Sequence, residues 1–340
     1  MDYIGSKAKL ITWLFSIIDE NVPNSTEHLF LDACSGTGTV SRSAAERGYK
    51  VIANDLLRFP AALANGSINL SESEMELARK HLKTANALAG EDGFFTTEYA
   101  GEVGDESARL FFTVANARKL DAFRSMISKI RNPKVRDYLL YCGIEAMSRV
   151  ANTAGTHGAF LKKFKERALA PIVFKEEKTY PGDISVYSRD IRALLVDPEY
   201  RNTHQEGILY LDPPYNYRQY GANYHLYEIF ALNDRPKVKG KTGLRNWKEE
   251  SDSSFCRKDE CLDLLKDILA TTTAKYVFMS YSSDGLLCLD DIMNVVPSII
   301  VYTQEYRRYK ADSRVKSIDE PKGRDYINTP LYEYVFVFSL

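Results

Sequence analysis

The stretch Ile208-Leu209-Tyr210-Leu211-Asp212-Pro213-Pro214-Tyr215 carries an apolar run into a carboxylate, two prolines and an aromatic ring. The apolar run reads as a buried strand. Neither proline offers an N–H to a ladder, so that strand must stop at Asp212 and hold the acid at its tip. A rigid turn accounts for the prolines but leaves the acid and the ring unexplained. Chemistry on the exocyclic amine of adenine accounts for all four residues. That nitrogen is a poor nucleophile, because its lone pair is delocalised into the ring. If the Asp212 carboxylate and the Pro213 carbonyl each accept one of its hydrogens, the nitrogen can pyramidalise and aim its lone pair at a methyl group. Pro213 and Pro214 fix that carbonyl in place, which is preorganisation. Tyr215 supplies a face on which the base can stack. A paired base hides this amine, so the target nucleotide has to leave its duplex.

A second set of residues suits a nucleoside cofactor. Asp32-Ala33-Cys34-Ser35-Gly36-Thr37-Gly38 follows another short apolar run, and its two glycines let the backbone approach a ligand at a helix N-terminus. No Lys-Ser/Thr follows them, so this is not a P-loop. Asp55 ends the next apolar run, 23 residues after Asp32, where a carboxylate can grip the two hydroxyls of a ribose. A dehydrogenase would carry the fuller G-x-G-x-x-G, whereas G-T-G-T-V-S stands here. An aminopropyl carboxylate in place of a pyrophosphate relaxes that need, which points to S-adenosylmethionine. Lys7 either pairs with that carboxylate or is an exposed lysine in the first turn of a helix.

The elements that must position these groups are legible in outline. A helix is expected from about Ser6 to Glu20, with Leu10, Trp13, Leu14 and Ile17 on one face. "HLFLDA", the glycine turn, "SRSAAERG" and "YKVIAND" give strand, turn, helix and strand, a βαβ unit and hence a parallel sheet. From Leu56 to Pro181 the segments look helical and no strand is convincing; the stretch is too long for a crossover loop and reads as an insertion. "DISVYSRDIRALL", "GILYLDPPY" and "KYVFMSYSSDG" resume the sheet, and "SIIVYTQEY" with "LYEYVFVFSL" forms a terminal hairpin around a long loop. The expected fold class is α/β.

Composition narrows the partners. The 340 residues are 44% apolar and 27% charged, ordinary for a globular chain. No run approaches the roughly 18 apolar residues of a membrane span, and no signal peptide opens the chain. Five cysteines, with no zinc-type pairing at Cys256 and Cys261, suggest reduced thiols in the cytoplasm and no metal. With a net charge of −1, a polyanion must be met by local patches. Three exist: "RPKVKGKTGLRNWK" from Arg235, "YRRYKADSRVK" from Tyr306 and "LKKFKER" from Leu161. Each is either a solvated face or a phosphate contact. Six of the 22 tyrosines crowd between Tyr210 and Tyr227, as packing or as stacking platforms.

These motifs together resemble the Dam-type, D12-class (α group) DNA adenine N6-methyltransferases, over most of the chain outside the insertion. "YIGSK" resembles the family's N-terminal cofactor motif, with Tyr in place of the more frequent Trp, so Tyr3 and Lys7 inherit contacts to the methionine end. "FLDACSGTGTV" is similar to the glycine motif, which often reads Phe-x-Gly-x-Gly, and brings Asp32, Gly36 and Gly38 to the cofactor. By the same resemblance Asp55 of "VIAND" holds the ribose and Asp190 of "VYSRDI" lies near the adenine ring. "LDPPY" matches the catalytic motif, with Asp212 close to both cofactor and target amine. "FMSYSSDG" and the C-terminal "YRRYKADSR…LYEYVF" have family counterparts too. "SRVANTAGTHGAF" resembles a target-engaging segment, making Arg149, Asn152 and His157 candidates for DNA contact, although His157 taken alone reads as a local hydrogen-bonding residue rather than a base reader. The loop with Lys239, Lys241 and Arg245 is placed to neutralise phosphates.

The resemblance implies a Rossmann-like S-adenosylmethionine-dependent methyltransferase sheet, mostly parallel with a C-terminal antiparallel hairpin, plus a helical insertion. Residues 1–55 and 182–340 form the catalytic domain and 56–181 the insertion, a target-recognition or DNA-contact region. The implied reaction is direct in-line transfer to adenine N6 in double-stranded DNA, by a bacterial, cytoplasmic, DNA-associated monomer with a cognate restriction endonuclease or as an orphan methylase. Its rivals are an adenine N6-methyltransferase acting on RNA and a cofactor-dependent DNA-binding protein without turnover. Cytosine N4 transfer is disfavoured by Asp, rather than Ser, at the head of the motif.

Overall fold

The computed structural model describes residues 3–105, 107–203, 206–306 and 331–339. Its short apolar runs become strands β1 (Phe30–Asp32), β2 (Lys50–Asp55), β3 (Asp183–Ser188), β4 (Ile208–Leu211), β5 (Tyr276–Ser282), β6 (Ile299–Tyr306) and β7 (Leu331–Phe338). They form one seven-stranded sheet in the order β3-β2-β1-β4-β5-β7-β6. The first five are parallel; β7 runs antiparallel to both β5 and β6. The expected terminal pair is therefore present, and its second strand enters the sheet between β5 and β6. After β1 the chain steps outward to β2 and β3, then returns to place β4 on the other side of β1. That reversal opens a crevice beyond the carboxyl ends of β1 and β4, the ends that carry Asp32 and Asp212.

Both faces of the sheet are covered. On one, Leu14, Phe15, Ile17 and Ile18 of helix α1 (Ile11–Asn21) and Val40 and Ala44 of α2 (Thr39–Glu46) pack on Phe30, Tyr210 and Val335. On the other, helices Ile191–Leu195 and Cys261–Thr271 cover Leu31, Leu209 and Val277. Each fully buried Leu, Ile or Phe contributes roughly 1.5–3 kcal/mol of transfer free energy, so these layers fix where the strand ends lie. Helix α1 starts at Ile11, not at Ser6, because residues 3–10 run as a strap across the strand ends and turn only where the Leu10 amide meets the Lys7 carbonyl at 2.8 Å.

The stretch between β2 and β3 is helical, as its sequence suggests, with α3 (Arg58–Gly66), α4 (Glu72–Ala87), α5 (Phe94–Tyr99), α6 (Val114–Ile127) and α7 (Pro133–Val150). Local sequence sets their starts. Ser71 and Glu74 make a reciprocal capping box on α4, and Asn132 caps α7 with Pro133 in its first turn. Their core, with Phe95, Phe123 and Tyr138, continues without a break into Tyr224, Tyr227 and Phe230. Those last three flank or lie on the helix His225–Leu232, which follows the Asp-Pro-Pro-Tyr turn. The insertion and the helix after the Asp-Pro-Pro-Tyr turn thus share one apolar cluster. Of the three basic segments, the one from Tyr306 lies beyond that residue outside the described residues.

Candidate active site

One pocket in the crevice collects groups from four strand ends and the strap: Asp32, Asp55, Asp190, Asp212, Lys7 and Tyr3 all line it. Gly36 and Gly38 adopt left-handed φ of 50° and 72°, so the turn after β1 can fold tightly before α2. A β-carbon on Gly36 would stand 3.1 Å from the Tyr3 ring. Here glycine makes room for an aromatic side chain.

Tyr3 is held from behind. Its ring stacks on Tyr224 at 4.7 Å and leans on Tyr220 at 5.5 Å. The hydroxyls of the same two tyrosines fasten the strap: the Ile4 amide donates to Tyr224 at 2.8 Å, and Tyr220 donates to the Ile4 carbonyl at 3.2 Å. The tyrosine crowding of the sequence therefore ties the strap to the segment that follows the Asp-Pro-Pro-Tyr turn.

The carboxylates differ in their bonding. Asp55 accepts from the Gly36 amide at 2.9 Å and the Leu57 amide at 3.0 Å, pinning the glycine turn to the end of β2; burial still pushes it up to about 6. Asp32 accepts from the Ser41 hydroxyl at 2.6 Å and is pushed up to about 7, chiefly by burial. Asp190 caps its helix through the Arg192 amide at 2.8 Å and pairs with the Arg192 guanidinium at 3.0 Å. Asn54 locks the floor, bridging the Ala33 carbonyl of the glycine turn to the backbone of Arg189 after β3.

Asp212 caps β4. Burial raises it to about 6, although Lys7 works in the opposite direction. The Lys7 ammonium sits 2.8 Å from Asp212 Oδ1 and 3.0 Å from Glu333 Oε1, all three side chains largely buried. Burial works against the charge on Lys7, but the two carboxylates outweigh it and hold the ammonium well above the ordinary lysine value. Among the described residues, no other hydrogen bond engages Asp212. Pro213 is buried, Tyr215 half-buried with its ring edge-on to Tyr281, and the Tyr215 carbonyl accepts from Leu286 at 2.8 Å. The turn is thus fixed on both sides.

The residues expected at DNA are not gathered in one place. Lys239 and Lys241 are exposed on a loop whose Lys239 and Leu244 backbones bond each other. Arg245, by contrast, is buried, its guanidinium 3.0 Å from Asp234 and 2.6 Å from Glu250, so it anchors that loop from inside. Asn152 is fully buried and ties together Leu110, Leu161 and Lys165 through backbone bonds. His157 is buried against Tyr227 at 4.4 Å, and burial followed by His225 drives it well below the usual histidine range. Arg149 pairs with Glu177 at 2.7 Å and remains partly exposed. A base or phosphate could reach Asn152, His157 or Arg245 only after each left these partners.

Sequence reasoning missed Glu333, the strap-fastening roles of Tyr220 and Tyr224, and Glu228. The last accepts from the Arg58 and Phe59 amides at 2.9–3.0 Å and so caps α3 from a distant helix. A signal existed for Glu333: it interrupts an apolar row, Leu331, Val335 and Val337, on an alternating strand.

The pocket fits S-adenosylmethionine by charge and shape of donor set. Four carboxylates line it and suit a sulfonium and an ammonium, and the close-approach glycine turn beside Asp55 suits a nucleoside. Residues 3–283 match the family model for D12 class N6 adenine-specific DNA methyltransferases. The chain is 34% identical to the type II methyltransferase M.NlaIII of Neisseria lactamica, covering 100% of this chain and 99% of that protein. It is 32% identical to M.CviAII of Paramecium bursaria Chlorella virus 1, over 91% of this chain and 92% of the other. Against M.FokI of Planomicrobium okeanokoites it is 32% identical and spans 52% of that protein's length.

Proposed function

The chain belongs to the D12 class of N6 adenine-specific DNA methyltransferases, and from that premise we propose how its residues divide the work. Membership selects DNA over RNA, adenine N6 over cytosine N4, and turnover over mere binding. When bound, S-adenosylmethionine supplies an electrophilic methyl group. Asp55 grips the ribose, Asp190 lies at the adenine end, and Tyr3 closes the methionine end. Asp32 supports the glycine turn of Gly36 and Gly38 from below through Ser41.

Asp212 and the Pro213 carbonyl accept the two amine hydrogens of the extruded adenine, while Tyr215 and Pro214 wall the base. The observation that carries this assignment is the buried ion pair that holds Asp212 at the tip of β4, within the pocket. The Lys7 ammonium, 2.8 Å from Oδ1, fixes the carboxylate at the end of β4, where it can accept from the amine. Lys7 was expected at the methionine carboxylate; its position between Asp212 and Glu333 supports a role in orienting the catalytic acid instead. Asp212 must be ionised to accept a hydrogen, and burial leaves it a stronger acceptor than an exposed carboxylate.

The exposed Lys239 and Lys241, with Lys162 and Lys163 on the second described basic segment, are proposed to meet phosphates. The helices of 56–181 serve as the target-recognition region, their shared core with His225–Leu232 relaying position to the catalytic turn. Among the described residues no helix is long and apolar enough to cross a membrane. A cytoplasmic monomer acting beside a cognate endonuclease, with no metal in the transfer step, completes the proposal; relatives named as type II methyltransferases support the pairing.

The test is Asp212→Ala. Turnover on duplex DNA should be abolished while DNA affinity stays largely intact. Loss of both together would count against the assigned role.

A further inference from the structure

We propose that Glu333 is a positioning residue for methyl transfer: acting through Lys7, it sets the place and the charge of the Asp212 carboxylate. The inference rests on the assignment of Asp212 to the target amine made above. Glu333 lies on β7, opposite Ser282 of β5 and Gln304 of β6. Val335 and Val337 follow it on the same face and pack in the apolar layer with Leu14, Phe15 and Tyr210. A carboxylate in such a row is costly to bury unless it is paired. Its partner is the Lys7 ammonium, 3.0 Å away, and the same ammonium stands 2.8 Å from Asp212 Oδ1.

A lysine bound to Asp212 alone could close over both carboxylate oxygens and cancel their charge. Glu333 gives the ammonium a second anion, 3.0 Å away, so Lys7 is shared between the two carboxylates. Two anions share one cation, so the group keeps a net negative charge and Asp212 remains a strong acceptor. The backbone of Lys7 cannot follow its side chain, because its carbonyl accepts from Leu10 at the head of α1 and Ile4 is fastened to Tyr220 and Tyr224. Other ionisable groups also face Asp212: Asp32 from β1, Cys34 from the glycine turn, Tyr210 from β4, Tyr3 from the strap and Tyr220 beyond the catalytic turn. Among the described residues only Glu333 and Asp212 form ion pairs with Lys7.

The experiment compares the full-length wild-type enzyme with Glu333→Gln, using Glu305→Gln on the exposed β6 edge as a control. Wild-type transfer to adenine in duplex DNA is measured first; its absence would remove the function assigned above and leave Glu333 a separate matter. With an active wild type, Glu333→Gln should lower the single-turnover rate by roughly 10- to 100-fold, the scale of a misplaced catalytic group. Affinities for S-adenosylmethionine and DNA should stay within about twofold. The acid limb of the rate profile should move to lower pH, because an anion that disfavours ionised Asp212 has been removed. In the ligand-free protein, Glu333→Gln and Lys7→Met should be non-additive in thermal stability, since each removes the same pair. An unchanged rate and limb, or additive effects, would overturn the proposal. Should the glutamine variant not fold, Glu333→Asp carries the test. It keeps the charge but withdraws it by one methylene, so the rate should fall while the acid limb stays in place; a wild-type rate would overturn the proposal equally.

Discussion

Replacing Gly36 by alanine separates two reasons for a glycine at the turn after β1. The backbone there has φ of 50°, which costs a residue with a β-carbon roughly 1–2 kcal/mol. The new methyl group would also sit 3.1 Å from both Cε1 and Oη of Tyr3. Tyr3 cannot slide away freely, because Tyr224 stacks behind it at 4.7 Å and Tyr220 flanks it. The ring must therefore rotate out of its place over the pocket. An aromatic contact of this kind is worth about 0.5–1.5 kcal/mol, so affinity for S-adenosylmethionine should fall roughly two- to tenfold. Gly48 is the control: it too has positive φ, at 95°, but its β-carbon would meet nothing within 4 Å. Both variants should melt a few degrees lower, on the order of 2–4 °C per kcal/mol, and only Gly36→Ala should bind cofactor less well. Calorimetric titration of both proteins, with a Gly36→Ala, Tyr3→Leu double variant, provides the measurement. Equal affinity losses at Gly36 and Gly48 would refute the steric argument. So would a Gly36→Ala penalty that persists undiminished without the Tyr3 ring.

Three other outcomes follow from charge. Burial holds Asp32 near 7 and Asp55 and Asp212 near 6, so below those values the folded chain takes up protons at the pocket. A sulfonium cation favours the ionised carboxylates, so affinity for S-adenosylmethionine should fall as pH drops from 7 to 5. The fall should be about tenfold for each carboxylate with a pKa near 6 that must ionise. S-adenosylhomocysteine, which lacks the sulfonium charge, should show a flatter dependence; parallel curves for the two ligands would sink the idea. At the loop, Lys239→Gln with Lys241→Gln should lower the salt slope of DNA binding by up to about two. Arg245→Ala should instead lower the melting temperature, because it leaves Asp234 and Glu250 without their buried cation. A slope unchanged by the lysine pair would remove that loop from the interface.

Local chemistry made much of this protein readable from its sequence. Pro213 and Pro214 end a strand wherever they stand, because they lack amide hydrogens, and Gly36 and Gly38 mark a turn that other residues enter only with strain. Alternation and helix period likewise located the seven strands, the helical insertion and the carboxylates at the strand tips. Such features depend on neighbours a few residues away. Tertiary structure decided what depends on distant partners. Lys7 and Glu333 stand at opposite ends of the chain and meet only because β7 inserts beside β5 while the strap crosses the strand ends. Arg245, Asn152 and His157 have the composition of DNA-contacting residues, yet the fold turns each inward, where a buried polar group must find partners. A sequence shows which side chains can carry charge. Burial and pairing, which it does not display, determine whether that charge faces a substrate or the protein itself.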